Sequence, residues 1–346
     1  MALVLQVLGA LTLLFFLFIV VVVLVIRAKL RKFVRNLEGM SQSLLASVTP
    51  ARIHLQSMAV PSWEDAEAVA AQSEELPGLG FVKGGSYQVE EVPGMALEAW
   101  FHPERAVTAV IYEHPKAGVW TDMATRYQDG TRATFANTQQ GEGVDHAPGH
   151  IMERFPGLTA RALYERFLAE RPDRPAITPT AELFVEVFEK AYADEMDWRN
   201  SRGGPTEDEI RRVAELTGEP ISEEVLAATR EMERSRAAAQ LDEAVRERFL
   251  AETALSAAAW EKVRERIVVV HDRMTQELFE SALMQCNDDR DWDDDPAPRI
   301  DETPEHSPRR LFAAINARAG DGRRCEKLGE VGQPVVADLY VVPETE

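Results

Sequence analysis

Residues 1–26 contain no charged side chain. A segment with that lack is no ordinary surface helix. At about 1.5 Å per residue it can cross a hydrocarbon core of about 30 Å with every backbone hydrogen bond made internally. No Lys or Arg precedes the apolar run, and no Ala-x-Ala-like site ends it, which argues against a cleaved signal. It lacks the intramembrane ionisable residue of an ion path and the Gly-x-x-x-Gly spacing of a dimerising helix. Arg27, Lys29, Arg31, Lys32 and Arg35 follow at once. The expectation is an uncleaved single-pass transmembrane helix over 1–26 and a basic juxtamembrane spacer over 27–50. The N-terminus then lies outside a cell membrane and residues 36–346 lie in the cytoplasm.

Cysteine is scarce as well. Cys286 and Cys325 match no zinc spacing and no Cys-x-x-Cys motif, so free thiols in a reducing compartment are expected. Walker, Rossmann, Gly-x-Ser-x-Gly and kinase signatures are all lacking, and no motif names a cofactor. Basic residues are outnumbered, 38 to 58, and the net charge is −20. Such a surface repels phosphate backbones, which argues against nucleic acid as a partner. The membrane is met through residues 1–35 alone.

What is present reads as α+β. Residues 52–58 alternate like a strand. Pro61-Ser62-Trp63-Glu64-Asp65 opens a helix to about Leu76, with Ser62 as its cap. Period-two stretches follow at 86–92, 95–101, 107–112, 119–127 and 131–137, with Asp129-Gly130 as a hairpin turn. These predict an antiparallel meander in a domain over 51–150. Leu97 and Phe101 are expected under the 62–76 helix, and Glu98 on the opposite face. Residues 139–157 read as a loop.

A helical domain is expected over 151–286. Thr159, Thr180, Thr206 and Ser222 are its candidate caps. Residues 222–285 read as two long helices broken near 253–256. An acidic linker (287–308) and a small tail unit (309–346) complete the chain.

The best site candidate is Asp145-His146-Ala147-Pro148-Gly149-His150. Two imidazoles and a carboxylate in one loop suit a zinc-like metal. His102 and His114 each precede a proline at a strand end. With Glu104 and Glu113 they form a second candidate cluster. His271 reads as a structural histidine on a helix. The acidic run 288–295 lacks the Gly and Glu of an EF-hand. Residues 196–205 suggest a helix–helix corner.

The expected function is that of a membrane-anchored protein binding a protein or small ligand. The alternatives are a tethered metal-dependent hydrolase using His146 and His150, and an assembly factor using helices 222–285 for a partner or for self-association.

Overall fold

The computed structural model describes residues 50–218, 221–286, 297–300, 306–319 and 324–343. The expected span 1–26, the spacer 27–49 and most of the acidic linker lie outside these residues. Among the described residues, no helix is long and apolar enough to cross a membrane.

The fold is α+β, as expected. Seven strands pair in chain order into one mixed sheet: β1 (Leu55–Ser57), β2 (Val82–Val89), β3 (Ala96–His102), β4 (Val107–His114), β5 (Gly118–Arg126), β6 (Arg132–Ala136) and β7 (His150–Arg154). Every pairing is antiparallel except β6–β7, which is parallel. Asp129-Gly130 makes the β5–β6 turn, with Gly130 at φ +84°. At Gly84 a Cβ would sit 2.0 Å from the Phe101 ring, so only glycine fits there. β7 is a correction to the loop expected over 139–157, and it straddles the expected 150/151 domain boundary.

Successive strand residues face opposite ways, and both sheet faces are covered. On one face Trp100, Ala109, Ile111, Met123 and Phe135 pack against α1 (Ala66–Ser73) and α2 (Ala160–Glu170) through Val69, Leu163 and Phe167. On the other, Leu97, Ala99, Phe101, Val110 and Tyr112 meet Phe184 and Phe188 of α3 (Phe184–Ser201). Leu97 therefore lies under α3, not under the 62–76 helix. All seven residues of β3 are buried. Glu98 is among them, 3% exposed, and accepts from Trp100 Nε1 at 2.6 Å and from the Lys83 ammonium.

The caps mix agreement and correction. Thr159 and Ser222 cap as expected. Asp65, not Ser62, caps α1 by accepting from Ala68 N–H. α3 begins after Leu183 with no side-chain cap, so Thr180 is not one. Thr206 and Glu209 form the expected capping box on α4 (Glu207–Leu216).

The second half is less helical than its periodicity suggests. α5 (Glu223–Glu252) ends at the expected break and α6 (Ala257–Val263) follows. Then Ile267–His271 is a strand, β8, and α7 (Gln276–Cys286) closes the stretch. Four β-branched or apolar residues in a row, buried on both sides, suit a strand between two layers. β8 pairs with β10 (Ala337–Val341), which pairs with β9 (Glu326–Val331), all antiparallel. Val245 and Phe249 of α5 cover one face. Phe279 and Leu283 of α7, with Phe312 of α8 (Pro308–Asn316), cover the other.

Cys286 and Cys325 are joined as a disulfide, with Cα atoms 6.1 Å apart. The expectation of free thiols is thereby corrected.

Candidate functional site

The α3-covered face turns polar towards β5, β6 and β7. Register places Asp122, Arg132, Thr134, His150 and Arg154 on this face. α3 supplies the central group. Phe184, Phe188 and Tyr192 face the sheet at helical spacing, and Glu195 continues the same stripe.

Glu195 draws the two expected histidines together. His146 Nδ1 lies 3.1 Å from its Oε1, and His150 Nδ1 lies 3.1 Å from its Oε2. Ala147 N–H donates to Oε1 at 3.0 Å, and the Arg132 guanidinium pairs with Oε2. His150 Nε2 meets Thr134 Oγ1 at 3.2 Å, and Arg154 reaches His146 Nε2 at 3.5 Å. The imidazole rings stand edge to face, centroids 5.0 Å apart. All three residues are half-buried. Burial alone would raise the Glu195 carboxyl; the bonds from His146, His150 and Ala147 N–H outweigh it and hold the group well below the carboxylate range. Burial pushes His150 below its ordinary value, against the hydrogen bond to Glu195.

Asp145 does not join them. Its carboxylate pairs with Arg202 at 3.0 Å and with Arg212. It braces the loop against the corner between α3 and α4, where Arg199 and Arg202 also hold the buried Glu209. Sequence reasoning missed Glu195, 45 residues beyond His150 in the chain. Its signal was a carboxylate in the apolar stripe of a helix.

The second histidine pair does not assemble. His102 and His114 end opposite ends of β3 and β4, since Ala96 pairs with Glu113 and His102 with Val107. His102 packs against Phe81 and Tyr164. His114 Nδ1 accepts from Lys116 and Ala117 N–H. Glu113 accepts from the N–H groups of Glu64 and Asp65 before α1. His271 is buried, as expected, but sits on β8 rather than on a helix. It is fully buried, with Nε2 3.2 Å from Asp242.

Asp122 extends the polar face towards Tyr112. Its Oδ1 is closed to solvent and lacks a partner among the described residues. Burial raises the carboxyl to about 7, against the charge of Arg154 and hydrogen bonds from Tyr112 and Trp120. The folded state thus takes up its proton at higher pH than the unfolded chain. The stability from this group is present below about pH 4 and is lost as pH rises towards 7. Asp122→Asn is expected to flatten that slope by on the order of 2 kcal/mol. Denaturant melts of both proteins at pH 5 and pH 8 check it; equal slopes would refute it.

A pocket lies on the same sheet face at the other end of α3. It encloses about 70 Å³ and is lined by Phe101, Ala106, Ala124, Leu183, Phe184 and Val187. Arg126 borders it, is exposed, and makes no ion pair among the described residues.

No known family, characterised protein or solved structure matches this chain.

Proposed function

We propose that this protein is held at a membrane through residues 1–35 and works by binding a small, largely apolar ligand with an anionic group. The pocket beside Arg126 carries this reading. Cavities of about 150 Å³ admit benzene, so about 70 Å³ has room for a branched group of three or four carbons. A carboxylate on that group would meet Arg126, a cation with no ion pair among the described residues, in a chain of net charge −20.

Short branched-chain acids test the reading. For 4-methylpentanoate, titration calorimetry should give a Kd of about 1 mM, which suits so few contact atoms. Arg126→Gln should weaken binding about tenfold, one charge-assisted hydrogen bond's worth, and Ala124→Leu should fill the pocket and abolish it. Affinity indifferent to both changes would overturn the proposal. A second reading, metal-dependent hydrolysis, is favoured by the meeting of His146, His150 and Glu195, and it first requires that they hold a metal. The partner-platform reading has less support, because α5 already packs against α3, α4, β8 and β9.

A further inference from the structure

We propose that His146, His150 and Glu195 form a binding site for one divalent transition metal of the zinc class, independent of the apolar pocket. Zinc holds nitrogen and oxygen ligands at about 2.0–2.1 Å in a tetrahedron, which sets neighbouring ligand atoms about 3.3 Å apart. The His146 Nδ1–Oε1 separation here is 3.1 Å, and His150 Nδ1 lies at the same distance from the other carboxylate oxygen, Oε2. The same geometry sets the centroids of two imidazoles on one metal about 5 Å apart. They stand 5.0 Å apart and edge to face. One ligand atom from each of the three residues lies within 4.8 Å of the others.

The three groups come from separate elements: the loop before β7, β7 itself and α3. Their spacing therefore reflects the fold rather than one local turn. Two histidines and one carboxylate are also the donor set of catalytic zinc sites, which leave a fourth position for water.

Without metal, protons hold the site in shape. Each Nδ1–H donates to Glu195, and a metal replaces these two protons. Each ring then carries its proton on Nε2. For His150 this is favourable, because Nε2–H can donate to Thr134 Oγ1 at 3.2 Å. Such outer contacts fix the ring of a metal-bound histidine. For His146 the partner is wrong. Arg154 is a donor only, and it faces Nε2 at 3.5 Å. Its guanidinium must swing away, leaving its contact with Gln140 C=O on one side and the charge of Asp122 on the other. Arg132 stays on Oε2, and Oε1, which accepts from Ala147 N–H, keeps a second lone pair for the metal. Arg154 is thus a built-in opponent of the metal, and its removal gives the sharpest test.

A second group of ligand type, His54 with Glu90 and Glu91, is exposed and flanks the β1 and β2 ends. It serves as the control. The full chain, purified in mild detergent without a histidine tag and stripped by chelator, is titrated with Zn²⁺ against a chromophoric chelator. One equivalent should bind at about micromolar Kd or tighter. His146→Ala with His150→Ala should weaken binding at least about tenfold, and Thr134→Val, which spares the ligands, by about tenfold. Arg154→Met should tighten it, and His54→Ala should leave it unchanged. Co²⁺ at the site should give the intense visible absorption of four-coordinate cobalt. Should the double variant fail to fold, Thr134→Val and Arg154→Met carry the test. Zinc bound equally by wild type and Thr134→Val, weakened by Arg154→Met, or lost in His54→Ala would overturn the site.

Discussion

Leu97→Ala is expected to cost about 2–5 kcal/mol, a large share of the 5–15 kcal/mol or so that holds a typical domain together. Leu97 is fully buried between β3 and α3, among Tyr87, Phe101, Tyr112 and Phe184. Truncation leaves a cavity that an aromatic-rich wall closes poorly. The neighbouring Glu98→Ala should not be silent either. It strips a partner from the buried Trp100 Nε1 and from Lys83, and an orphaned buried donor costs about 1–3 kcal/mol. Denaturant melts of the full chain in detergent measure both. A Leu97→Ala loss smaller than that of Glu98→Ala would mean that α3 does not cover this face.

Phe279→Ala should cost about 3–5 kcal/mol. The ring is fully buried at the centre of the second core, with Met274, Leu283, Phe312 and Tyr340. The loss should also appear at the first sheet. α5 contacts α3 on one side and β8 and β9 on the other, so the two sheets share one long helix. In a Trp260→Phe background, which removes the tryptophan of the second core, tryptophan fluorescence from Trp63, Trp100 and Trp120 around the first sheet should shift its midpoint with the far-ultraviolet signal. Separate midpoints would show that the sheets unfold independently.

The meander was legible because short turns, Asp129-Gly130 above all, separate clear period-two stretches. The faces of β3 were not. Alternation assigns Glu98 to solvent, but a second helical layer and three polar partners bury it. β7 escaped notice because His150-Ile151-Met152-Glu153-Arg154 has no alternation and pairs in parallel across a loop, with no hairpin signal. β8 reads as helix in the sequence because Val268-Val269-Val270 fits either period when both sides are buried. Capping boxes fared better, since Thr206 and Glu209 find each other within one turn.

At the site, the two histidines were visible as neighbours and their third partner was not. Asp145 looked right because it is adjacent in the chain. Adjacency says nothing about which way a loop turns, and Arg202 and Arg212 turn this carboxylate away. Glu195 is contributed by tertiary packing, and only its place in an inward helical stripe betrays it.

The chain enters the fold in a particular place. Tyr192 Oη donates to the Pro50 carbonyl, and Arg52 is pinned between Asp197 on α3 and Glu247 on α5. These first described residues are therefore fastened to α3 at Tyr192 and Asp197, which bracket Glu195 in sequence. The anchorage of Pro50 and Arg52 and the grip of the histidines on that carboxylate therefore share the same two turns of helix.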